Sequence, residues 1–113
     1  MSSLSFQAAG VVGLLTAVGH LQMGRSVLSP AIPETQAAQT ALKGWYQGVF
    51  MYATFGLNYL RIAAVPILAP LDYAILAGQG AMHLYTLFTM PDLPPRVLSG
   101  VLLGLVTAGL VTK

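Results

Sequence analysis

Two histidines, His20 in "LTAVGHLQMG" and His83 in "AGQGAMHLYTLF", stand in stretches that carry no formal charge. Imidazole titrates near neutrality, so either ring could give or take a proton in general acid–base chemistry. Gln47 and Tyr46 could hold a developing oxyanion, and Glu34 could serve as a charge partner. Such a set suits isomerisation, cyclisation, hydration or epoxide opening of a lipophilic small molecule. No serine or lysine stands beside a histidine in a nucleophile-like setting, so covalent catalysis is unsupported. The absence of cysteine removes disulfides, thiolate chemistry and cysteine metal sites. A metal needs three or four ligands, which His20, His83 and Glu34 barely supply, and two histidines near one membrane face suit haem poorly. No cofactor or metal is expected.

Whether these side chains can meet depends on the elements that carry them. The chain has 113 residues, 56% hydrophobic and 7% charged, against about 25% charged in an ordinary soluble domain. Mean hydropathy is +0.74. Charged residues are so sparse (Arg25, Glu34, Lys43, Arg61, Asp72, Asp92, Arg96, Lys113) that the intervals between them read as candidate spans of roughly 17–25 residues. The expected fold is all-α: a polytopic integral membrane protein with four transmembrane helices in an antiparallel bundle. Residues 1–113 are expected to form a single domain, with helices at about 5–24, 34–64, 71–90 and 95–112. Pro30 and Pro33 are expected to break the first helix, and Pro33 with Glu34 to open the second. "VPILAPLD" and "MPDLPP" supply the later turns. No strand-length alternation suggests a barrel. Three spans plus one surface helix is the alternative, with helix four the doubtful member. The N-terminus lacks the positive segment of a cleaved leader and is expected to be a retained span. Arg25, Lys43 and Arg96 on one side against Arg61 and Lys113 on the other point both termini away from the cytoplasm. Which membrane is involved is not encoded.

Residues three or four apart share a helix face. That rule aligns Asp72, Gln79, His83 and Thr86 on helix three, Gln47, Met51, Thr54, Asn58 and Arg61 on helix two, and Gly13, Thr16 and His20 on helix one. These faces should turn inward, because lipid would leave them unpaired. Measured from the helix ends, His20, Gln47 and His83 fall within roughly 6–11 Å of one membrane face, so they are expected to converge, flanked by Arg25, Glu34, Trp45 and Tyr46. Arg61 and Asp72 read as a structural ion pair at the opposite face. Gly100, Gly104 and Ala108, with Gly13 and Ala17, Ala74 and Gly78, and Ala77 and Ala81, read as close-packing positions, within one bundle rather than at a dimer seam.

Three functions compete on this basis. The first is a small membrane enzyme-like protein of small-molecule biosynthesis with His20 and His83 as acid and base, supported by Gln47, Tyr46 and Glu34. The second is a non-catalytic subunit or scaffold that associates through small-residue faces, and the third a carrier or channel whose polar path runs through Thr54 and Gln79. The expected partners are the lipid bilayer, a lipophilic small molecule, and a second copy or another membrane protein. The formal charge of +2 has no basic cluster behind it, which argues against nucleic acid. Small multidrug exporters match in size and span number but depend on a carboxylate in the first helix, absent here. The four-helix membrane proteins of eicosanoid and glutathione metabolism are longer and carry arginines and glutamates inside the bundle that this chain lacks.

Overall fold

The computed structural model describes residues 2–113, among which there are four helices and no strand. Helix α1 spans Ser2–Met23, α2 Gln36–Ala64, α3 Pro70–Thr89 and α4 Leu93–Val111. Short connections make each helix antiparallel to the next, and the whole measures 49 × 22 × 20 Å.

Proline placement explains most of the boundaries, and three of them differ from expectation. Helix α1 does not stop at Pro30: it passes through a π-helical turn, Gly24–Leu28, and a last α turn, Ser29–Ala31. The wider turn moves the helical register, so that the Ser29 N–H bonds to the Gly24 carbonyl and room appears for the proline ring. Termination falls at Ile32, extended at φ −79°, ψ 132°, because Pro33 excludes helical geometry from the residue before it. Helix α2 accordingly begins later than expected. Thr35 is its N-cap, its hydroxyl oxygen accepting from the Ala38 N–H at 3.3 Å, and Glu34 stays outside the helix. Val65 before Pro66 ends α2 in the same way. Pro70 opens α3, where the Asp72 carboxylate accepts the Ala69 N–H at 2.9 Å. Helix α4 starts two residues before the expected Pro95, at Leu93.

Glycine sets the closest approach of two backbones. A Cβ on Gly56 would fall 2.8 Å from the Gly10 carbonyl oxygen and 2.9 Å from the Leu14 nitrogen, and one on Gly13 2.9 Å from the Gly56 Cα. Backbone therefore meets backbone where α1 crosses α2. At the far end of α4 the ring of Phe6 lies over Gly109, 2.7 Å from where a Cβ would stand. Phe6, Ala9, Tyr59, Ile62, Leu68, Leu76, Leu102 and Val106 form one core around this end. Lys113 closes it, donating from Nζ to the carbonyls of Ile62 and Val65 at 2.9 and 2.7 Å and so satisfying the last turn of α2.

The expected small-residue seam of helix four faces the other way. Gly104 has no neighbour within 4 Å, Gly100 meets only Leu87 at 3.8 Å, and Ala108 is exposed. On α3, Ala74, Ala77, Gly78 and Ala81 are likewise on the outside. The inward face of α4 is Ser99, Leu102, Val106 and Gly109. A helix can turn only one stripe to its neighbours, and here the bulkier stripe fills the core.

Candidate ligand-binding cleft and buried polar seam

Helices α1 and α4 touch at the Phe6–Gly109 end, and toward the opposite end a cavity of about 760 Å³ lies between them. Its walls are mainly Leu, Val, Met and Pro, with α2 contributing Trp45 and Tyr52. The polar side chains in this wall come from separate helices: His20 and Thr16 from α1, Tyr52 from α2, and Ser99 from α4, with Asp92 at the rim. Thr16 donates its hydroxyl proton to the Val12 carbonyl at 2.7 Å. A largely apolar hollow with a few convergent polar groups is the usual form of a small-molecule site.

His20 is held by shape. Its ring lies parallel to the indole of Trp45, centroids 3.8 Å apart and planes within 4°, and 5.3 Å from the Tyr52 ring. Gly48 makes the space, since a Cβ there would lie 2.7 Å from His20 Nε2. Gly24 does the same for the indole: a Cβ would come within 2.9 Å of Trp45 Cδ1 and Nε1 and of Tyr46 Cε1. The Trp45 Nε1–H donates to the His20 carbonyl at 2.8 Å, so indole and imidazole are fixed by one hydrogen bond and one stack.

A second polar feature runs between α2 and α3. Asp72, Gln79, His83 and Thr86 all point inward, as their spacing predicts, and all four are buried. Asp72 pairs with the Arg61 guanidinium; Arg61 Nε donates to Asn58 Oδ1 at 3.4 Å and Asn58 Nδ2 to Gln79 Oε1 at 3.1 Å. Next along the seam, Tyr59 Oη and His83 Nε2 are 3.0 Å apart, with Phe55 edge-on to the imidazole at 5.8 Å. His83 is 1% exposed, and its Nδ1 is the one buried side-chain nitrogen or oxygen among the described residues without a hydrogen-bond partner. Thr86 continues the line. Long side chains rather than close backbones join these two helices, and an opening of about 370 Å³ lies beside the amide pair, between Phe55 and Ile75.

The five residues singled out from sequence are not brought together. His20 lines the cleft, and Tyr46 is half-buried against Gly24 behind it. His83 packs against Phe55 and Tyr59, whereas His20 packs against Trp45, Gly48 and Tyr52, so the imidazoles are separated by roughly 10–12 Å along α2. Gln47 is exposed on the outside of α2, and Glu34 is exposed in the connection. The expected common level fails because the register of α1 on α2 is set by Gly13 against Gly56, not by distance from the helix ends. Thr54 is also outside, its hydroxyl spent on the Phe50 carbonyl at 2.8 Å. Sequence reading missed Tyr52, Tyr59 and Ser99. The signal was the run Tyr52, Gly56, Tyr59, Ile62, a helical face with a glycine at its centre, which is the buried face of α2.

Compared with protein-family models, with curated proteins and with solved structures, the chain matches none.

Proposed function

We propose that this chain is a four-span membrane protein that binds a lipophilic small molecule in the cleft beside His20. The distribution of polarity supports the membrane reading. Two helical segments, Ser3–Ala31 and Leu93–Val111, are long and apolar enough to cross a bilayer. Helices α2 and α3, at 29 and 20 residues, have the length required as well. Large apolar side chains are exposed on all four, among them Leu15, Leu57, Phe88 and Val101, while the amides and imidazole of the α2–α3 seam are inside. Water would penalise that surface, and lipid would not. The charged residues fall into two sets by topology, Arg25, Glu34, Lys43, Asp92 and Arg96 at one end and Arg61, Asp72 and Lys113 at the other, as two interfaces require.

The observation that carries the binding reading is the cleft itself: about 760 Å³, apolar walls, and hydroxyl and imidazole groups from three helices. No Lys, Arg or Glu is among its walls, so the ligand is uncharged at its buried end and carries an oxygen that can hydrogen-bond. Trp45 is the sole tryptophan and part of the wall, which makes its emission a local reporter. Titrating reconstituted protein with uncharged lipophilic alcohols and ketones should quench or shift that emission saturably, and Ser99→Leu, which removes a hydroxyl from the wall and puts a branched side chain into the cleft, should weaken the response. Identical responses in wild type and S99L would reject the cleft as the binding site.

Acid–base catalysis is the second reading of this cleft. It rests on an imidazole with a tyrosine ring 5.3 Å away, in which His20 would move the proton while Tyr52 and Ser99 hold the substrate oxygen. Loss of turnover, with binding retained, in His20→Gln is its test.

A further inference from the structure

We propose that the seam between α2 and α3 is a proton path, in which His83 relays protons between the cleft and the Arg61–Asp72 end of the bundle. The proposal rests on the four-span reading and not on a ligand in the cleft. Its starting point is the orphan Nδ1 of His83, on a residue 1% exposed. Buried polar atoms are nearly always paired, and an unpaired one calls for a bound water or a role in proton transfer. His83 is also one link in a line. Reading along α3, the inward groups are Asp72, Gln79, His83 and Thr86, and Arg61 and Asn58 of α2 bridge the longest interval, between Asp72 and Gln79. From Asp72 to Met90, which lines the cleft, the helix rises about 27 Å, close to the ~30 Å of a bilayer core. The Arg61 end is wet, its side chain being 48% exposed, and at the other end Thr86 is a neighbour of Tyr52, which is part of the cleft wall.

The other groups around His83 leave it free to act. Tyr59 is the titratable group that meets it from α2. The buried faces of α1 (Ala9, Gly13) and α4 (Leu102, Val106) bring none at this level. Asp72 with Arg61 lies farther along toward one end, and Tyr52 and His20 toward the other. A proton from a water on the Thr86 side adds to the Nδ1 lone pair, giving an imidazolium. Its Nε2 proton passes to the Tyr59 oxygen as the Tyr59 hydroxyl proton leaves to a second water, held by the Asn58 and Gln79 amides that lead on to Arg61. One proton enters and one leaves, and the imidazole, now protonated at Nδ1, regains its starting tautomer when water carries that proton from Nδ1 to Nε2.

Proteoliposomes carrying a lumenal pH dye, with a potassium gradient and valinomycin to set the potential, test this directly. Wild-type protein should acidify or alkalinise the lumen according to the sign of the potential, at least tenfold faster than protein-free vesicles. His83→Leu should return the rate to that of empty vesicles. Tyr59→Phe, which keeps the shape of the ring but has no oxygen to take the Nε2 proton, should do the same. Helicity and Trp45 emission show that each variant is folded. Gln36→Cys and Ala64→Cys, labelled from opposite sides of the same vesicles, report spanning separately. Spanning protein with no flux above empty vesicles, or with His83→Leu as fast as wild type, overturns the relay alone; labelling of both positions from one side overturns the four-span reading and the relay with it.

Discussion

The imidazole of His20 lies flat on the indole of Trp45, 3.8 Å between ring centroids, and the same indole donates its N–H to the His20 backbone. Protonation of His20 would therefore place a cation on the face of the only tryptophan, an arrangement with a direct optical consequence. Trp45 emission should fall on acidification along a single one-proton curve, and the curve should vanish in His20→Gln while persisting in His83→Gln. A titration of steady-state fluorescence in detergent checks this. Equal curves in all three proteins would mean that another group is being read.

Gly48 creates the slot for the His20 ring, with Nε2 2.7 Å from a would-be Cβ. Gly48→Val should expel the imidazole from its stack and so relieve any quenching by it, with a red shift of Trp45 as water enters. Destabilisation should be on the order of 1–3 kcal/mol, the usual result of overpacking. Gly44, one turn earlier on α2 with no neighbour within 4 Å, is the control: Gly44→Ala should be neutral or stabilise by up to about 1 kcal/mol through helix propensity.

The α1–α2 crossing allows a sharper contrast. At Gly56 the obstructing atoms are backbone, the Gly10 carbonyl oxygen and the Leu14 nitrogen, which cannot rotate away. Gly56→Ala should lower stability by about 1–3 kcal/mol in urea or SDS unfolding followed by circular dichroism. Gly104→Ala, on the open face of α4, should leave the unfolding midpoint unchanged or raise it slightly. If the two substitutions behaved alike, the packing of α1 on α2 would be wrong.

Asp72 does two separable jobs, accepting the Ala69 N–H and pairing with Arg61. Asp72→Asn keeps an acceptor for the cap and loses the ion pair, a small loss because the arginine is half-exposed. Asp72→Ala loses both, and the Ala69 N–H is left without its acceptor. The expected order of stability is wild type, D72N, D72A. A double-mutant cycle with Arg61→Met should show coupling for D72N that falls as salt is raised.

Because the chain has no cysteine, single cysteines report topology without background. Cysteine at Gln36 and at Ala64, the two ends of α2, should be labelled by a membrane-impermeant maleimide from opposite sides of a sealed vesicle. Labelling of both from one side would leave α2 lying on the surface.

What the amino-acid sequence by itself determined is the all-α class, the number of helices and the inward face of α3. Few charges separated by apolar intervals leave helices as the structure that satisfies its own backbone, and prolines at 33, 66 and 70 and in "MPDLPP" bound the segments through local sterics. Asp72, Gln79 and His83 find their polar partners on α2, and their spacing was enough to orient them with Thr86 on one face. Tertiary structure decided the rest. Pro30 was accommodated by a π turn that depends on Gly24 making room for Trp45, and Gly13 against Gly56 fixed how far α1 is drawn along α2. That register sets His20 beside Tyr52 and leaves His83 with Tyr59. Gln47 and Thr54 share a face by spacing, yet a threonine that bonds its own helix and a glutamine that can reach water have no need of the interior. The stripe that faces inward on α2 and α4 was chosen by which side chains fill the space between four helices, and that is a property of the neighbours, which no single helix carries in its own sequence.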